Sequence, residues 1–331
     1  MLFFAVVGCA NNDNIEVIEI EADSSAGFYW DYYLYLPAKM HVIGDTAYNK
    51  HMLVMPNNTG FQSDDYKEHK RAARELLDDP FSDAGKNLGV PILVPVFPRP
   101  ASEGPGGNYY IQALDRNTLN AHNERDEEEY HRIDKQLVAM IDHAQDVLEQ
   151  EGIKVDDQVF MTGFSASGTF TNRFLKLHPD RVQAAAVGGI NGLPALPIKE
   201  LEGDELIYPV GVGDLDKLAN INFDIEEYKK IPQYIYMGDE DDNDALANSY
   251  SDAYGGDETE LIKNVFDTEE ADGDAEVIIE RFNKAESFYQ GLDIPAQFSI
   301  YEGVGHLIID NMIYDVVEFF RSNADNELDE I

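Results

Sequence analysis

A single cysteine, Cys9, is all the thiol this 331-residue chain has, so no internal disulfide can form. Basic residues are scarce as well: 24 Lys and Arg face 64 Asp and Glu, for a formal net charge of −40. A surface of that sign repels phosphate backbones, which excludes nucleic acid as a partner. Beyond the N-terminus no apolar run approaches the roughly 20 residues needed to span a bilayer, and internal repeats and long low-complexity linkers are also missing. The densest acidic stretches, "GDEDDND" and "GGDETE", lack the alternating oxygen ligands, glycine and terminal glutamate of an EF-hand. No metal and no cofactor are therefore expected, and the acidity reads as a solvated surface that keeps the chain soluble.

What is present is enough apolar material, 44% of residues, to bury a sizeable core. From residue 15 the pattern has a period of two: "IEVIEIEA" alternates apolar and acidic residues, and "YYLYLP" follows as an aromatic-rich strand, an antiparallel start to a sheet. Short, nearly unbroken apolar runs come next, at "HMLVMP", "PILVPVFP", "QVFMTG", "VQAAAVGG", "PQYIYMG" and "AQFSIY". Such runs suit strands buried on both faces. Helical patterns lie between them. Over 129–150, Ile133, Leu137, Met140, Ile141, Ala144 and Leu148 share one face. Phe170, Phe174 and Leu177 do so before Pro179, and Ile308, Met312, Val316 and Phe319 do so at the C-terminus. Alternating strand and helix predicts an α/β fold with a mostly parallel sheet covered on both faces. The expected organisation is one domain over 15–331, with insertions at about 191–231 and 245–276 that exceed ordinary connections.

In "VFMTGFSASG", residues 159–168, Ser165 falls on a tight turn between a buried strand and a helix. A nucleophile elbow needs that context, because small neighbours let a strained backbone lift the hydroxyl clear of the sheet and aim the next amide at a developing oxyanion. The motif G-x-S-x-G asks for glycine at 167, whereas the chain has Ser167 there and Gly168 one place on. On this stretch, and on the elbow helix ending "LKLHPDRVQAAAVGG", the chain resembles α/β-hydrolases, and in particular esterases related to polyhydroxybutyrate depolymerases and feruloyl esterases. The resemblance covers roughly 28–322.

That resemblance implies the triad order Ser, acid, His. His306 is the histidine downstream of His178 and follows the strand "AQFSIY"; His178, in "LHPDR", reads as a surface cap. The acid should follow "PQYIYMG", where Asp239, Glu240, Asp241, Asp242 and Asp244 crowd together. The superfamily spacing G-x-x-D selects Asp241, with Asp244 and Asp242 as alternatives. Oxyanion donors are expected from the backbone of Ala166 and of Asn58 or Thr59, in "NNTGFQSDD". Arg99, Tyr109 and Tyr110 lie at the sheet edge where α/β folds bind ligands.

The implied activity is a serine hydrolase acting through an acyl-enzyme on small-molecule or polymeric carboxylic esters. A peptidase or an acyltransferase uses the same triad, and a surface-tethered binding protein could keep the fold without turnover. At the N-terminus, "VVGC" resembles the lipobox of bacterial lipoproteins. Lipidation of Cys9, with 1–14 as signal remnant and tether, implies an extracytoplasmic, membrane-anchored protein.

Overall fold

The structure is a computed structural model that describes residues 16–37, 51–101, 110–119, 128–246, 256–269, 271 and 273–324. Cys9, the tether over 1–14 and Tyr109 lie outside the described residues.

The antiparallel start is present. Strand β1 (Glu16–Ile20) pairs antiparallel with β2 (Tyr32–Leu36), and β2 with β4 (Ile92–Pro95). From there the sheet is parallel through β4, β3 (Leu53–Val54), β5 (Val159–Phe164), β6 (Val182–Gly188), β9 (Gln233–Gly238) and β10 (Ala296–Tyr301). The full order is β1-β2-β4-β3-β5-β6-β9-β10, with a separate two-stranded hairpin of β7 (Glu200–Leu201) and β8 (Asp204–Glu205). The register sets the carboxyl ends in line: Phe164 lies opposite Gly188, Gly188 opposite Tyr236, and Gly238 opposite Tyr301. Three loops that leave the sheet at this edge therefore meet.

Two apolar cores cover the two sheet faces. On one, Ile133–Gln150 and Ala166–Leu177 pack against Val54, Leu93, Met161 and Val187; on the other, Asp310–Ser322 packs against Phe160, Ala184 and Tyr234. Three expectations need correction. The helix expected over 129–150 begins at Ile133, because Arg132 takes a left-handed conformation at φ 49°. The C-terminal helix buries Met312 and Val316 as expected, together with Ile313, Val317 and Phe320, whereas Ile308 precedes the helix and Phe319 is only half-buried. Strand β10 is not buried on both faces: as the sheet's outer strand it leaves Gln297 and Ile300 exposed. Among the described residues no helix is long and apolar enough to cross a membrane.

His178 caps the elbow helix as expected, but it is half-buried rather than at the surface. Its Nε2 lies 2.8 Å from Oδ2 of the buried Asp134, whose carboxylate also accepts from Arg132 at 2.9 and 2.7 Å. Burial alone would push the Asp134 carboxyl up, yet the hydrogen bonds from Arg132 and His178 outweigh it and hold the pKa at about 2. A folded-state value below the ordinary one means stability that is fully present above about pH 4 and lost as the pH falls toward 2. Asp134→Asn is thus expected to cost about 2 kcal/mol at neutral pH. The gap to the unsubstituted protein should close at acid pH, which urea unfolding of both proteins across the range checks.

Candidate active site

Strand β5 runs into the elbow helix through one residue, Ser165, at φ 60° and ψ −126°. An L-residue rarely adopts that conformation, and it persists only where the surroundings enforce it. Here they do. Ser165 N–H donates to Gly188 O on β6 at 2.9 Å, and Ser165 O accepts from Thr169 N–H at 2.9 Å. Glycine is required on both sides of the turn. A Cβ on Gly163 would stand 2.2 Å from the carbonyl oxygen of Ser167, and one on Gly168 would stand 2.6 Å from that of Gly188. The residue at 167 needs no such freedom. Its hydroxyl accepts from Phe164 N–H at 3.0 Å and donates to Phe164 O at 2.9 Å, so a serine closes the base of the turn where the motif asks for glycine.

The loops after β9 and β10 are zipped together. Asp239 N–H donates to Tyr301 O at 3.0 Å, Glu240 N–H donates to Val304 O at 2.9 Å, and Asp239 Oδ1 accepts from Gly303 N–H at 2.6 Å. Gly238 admits this contact, since a Cβ there would fall 1.8 Å from Val304 O. The zipper brings Nδ1 of His306 to 3.0 and 2.9 Å from the two oxygens of Asp241, which is 1% exposed. Asn243 N–H donates to Asp241 Oδ1 at 3.1 Å. The Phe164 ring, next to Ser165, packs against the His306 ring with centroids 4.9 Å apart.

Five acids competed for this place, and geometry separates them. Asp239 ties the two loops, Glu240 and Asp242 are exposed, and Asp244 is ion-paired with Arg281 at 2.6 Å. Asp241 is the one whose carboxylate reaches His306.

The loop after β3 is set by a buried amide cluster. Asn57 donates to Phe97 O at 2.9 Å and accepts from Phe97 N–H at 3.0 Å. Thr59 donates both its N–H (3.0 Å) and its hydroxyl (3.1 Å) to Oε1 of Gln112. Of the two alternatives for the oxyanion donor, Thr59 thus has its amide hydrogen already committed to Gln112. Asn58 remains, its side chain accepting from Gly60 N–H at 3.1 Å, and so does Ala166 at the start of the elbow helix. Gln112 was not singled out from sequence. Its partner lies 53 residues away, and nothing in "NYYIQALDR" marks one glutamine as buried. Of the expected pocket residues, Arg99 stacks its guanidinium 4.1 Å over the Tyr110 ring. Among the described residues no group of three or more His, Cys, Asp or Glu could hold a metal ion.

A scan of protein-family models finds no match to this chain, and a search of curated proteins finds none either. Solved structures do match. Poly(aspartic acid) hydrolase-1 from Sphingomonas sp. KT-1 aligns with a TM-score of 0.53 over 94% of this chain and 98% of its own, at 15% identity. LpqC, a poly(3-hydroxybutyrate) depolymerase from Bordetella parapertussis, aligns at 0.52 over 96% and 93%, at 17% identity. The chain has the α/β-hydrolase fold.

Proposed function

We propose that the protein is a serine hydrolase that cleaves carboxylic esters through an acyl-enzyme, with Ser165, His306 and Asp241 as its triad. The observation that carries this reading is the pairing of His306 with the buried Asp241 at the sheet edge where Ser165 takes its strained conformation. Ser165 Oγ attacks the ester carbonyl carbon while its proton passes to Nε2 of His306. Asp241 accepts from Nδ1–H, which fixes the tautomer and stabilises the imidazolium. The oxyanion accepts from the amides of Ala166 and Asn58. Collapse breaks the bond to the alcohol, which leaves with the proton from His306. Water, deprotonated by the same imidazole, then attacks the acyl-enzyme and frees the acid and Ser165.

The two named neighbours suggest different bonds, a polyester and a poly(amino acid). A chain of formal charge −40 repels a polyanion, which favours the neutral ester. A panel of p-nitrophenyl esters of increasing acyl length, run beside the matching anilides, tests this. Ester turnover with little anilide turnover is expected. Anilide turnover alone would make the protein an amide hydrolase, and turnover of neither would favour a binding protein. Lipidation of Cys9, and with it an extracytoplasmic place, belongs to the same proposal; the mass of the N-terminal peptide from the native host decides it.

A further inference from the structure

We infer that Arg281 and Asp244 form a positioning device that holds the acid loop so that Asp241 stays in line with His306. The inference rests on the reading of Asp241 as the triad acid.

Asp244 stands three residues after Asp241, and the two carboxylates organise the loop in the same way. Asp241 Oδ1 accepts from the amide two residues on, at Asn243, and Asp244 Oδ1 accepts from the amide two residues on, at Leu246, at 3.1 and 3.0 Å. The first turn is therefore continuous with the second. The second is fastened from outside the loop. Arg281, fully buried on the helix Ala275–Gly291, donates from Nη1 to Asp244 Oδ1 at 2.6 Å and from Nη2 to Oδ2 at 3.3 Å. Its Nε donates to Thr268 Oγ1 at 3.1 Å, and Nη2 also donates to Glu269 O. Ala271 N–H completes the shell of Asp244. Burial would push the Asp244 carboxyl up, but Arg281 and the two amides hold it below its ordinary value, so it stays an anion.

The same helix is locked against the loop after β6. A Cβ on Gly192 would lie 2.5 Å from Ile278 O and 2.9 Å from the Arg281 Cβ. Arg281 is thus referenced on one side to the loop that follows the strand bonded to Ser165, and on the other to the loop that carries Asp241. A buried ion pair contributes little net stability compared with an apolar pair of the same shape. What a bidentate fork does supply is direction, which a single ammonium cannot copy. A shift in Asp244 is carried through Asn243, whose amide touches Asp241.

The test is a double-mutant cycle on purified protein with a p-nitrophenyl ester. Arg281→Lys is expected to lower kcat about tenfold with KM within about twofold, as a small misplacement of the acid would. In an Asp241→Asn background the same substitution should cost almost nothing further, because the residue it acts through is already disabled. A merely structural role would lower kcat by the same factor in both backgrounds, and that result overturns the inference. Unchanged kcat in folded Arg281→Lys overturns it too. Should Arg281→Lys fail to fold, Asp244→Asn, which keeps the side chain's shape and loses the charge, runs through the same cycle. Failure of the underlying reading shows separately, as unchanged kcat in Asp241→Asn alone.

Discussion

Ser165→Ala is expected to abolish both ester turnover and labelling by a fluorophosphonate probe, with a loss in kcat on the order of 10⁵–10⁶, as for other serine nucleophiles. Ser167→Ala is the informative companion, because the two hydroxyls are two residues apart and their surroundings differ. The Ser167 hydroxyl both accepts from and donates to the backbone of Phe164 and is 4% exposed, so its lone pairs and proton are committed inside the turn. Its removal should cost about 1–2 kcal/mol of stability from lost hydrogen bonds while leaving most of the labelling intact. Mass spectrometry of the labelled peptide reads the outcome directly. A probe adduct on Ser167, or full activity in Ser165→Ala, would overturn the assignment.

Asp241→Asn should lower kcat by about 10³–10⁴, since an amide facing Nδ1 favours the wrong tautomer and cannot stabilise the imidazolium. The fold should survive, because the substitution keeps size and the Asn243 N–H still has an oxygen to donate to. Asp244→Asn should cost no more than about tenfold, its effect passing through loop position rather than through the imidazole. Side-by-side kcat measurements on the two variants check the order. If Asp244→Asn were the more damaging, the G-x-x-D spacing would have picked the wrong carboxylate.

Those two variants also mark where sequence reasoning reached its limit. The elbow was legible because its sequence signature is local: an apolar strand, a Gly-rich turn and a helix ended before Pro179. His306 was legible because chain order left one histidine downstream of His178. The acid was only narrowed, since five carboxylates within six positions are equivalent until the loops after β9 and β10 fold together. Partners distant in sequence left no local trace, so Gln112 behind Thr59 and Arg281 behind Asp244 went unnoticed. Position within the sheet was hidden for the same reason. The run "AQFSIY" is as apolar as its neighbours, and only the strand order shows that it lies outermost.

The elbow is held by its own strand, by the adjacent strand β6 and by a hydroxyl within the turn. None of these anchors belongs to the segment 191–231, which leaves the sheet after β6 and carries the β7–β8 hairpin. The strained turn at Ser165 is therefore held independently of most of that segment. Beyond Gly192, which packs against Ile278 and Arg281, that segment can be lengthened or shortened without touching the anchors of the turn. A lineage with this fold can vary the outer part of the segment while the turn and its anchors are inherited unchanged.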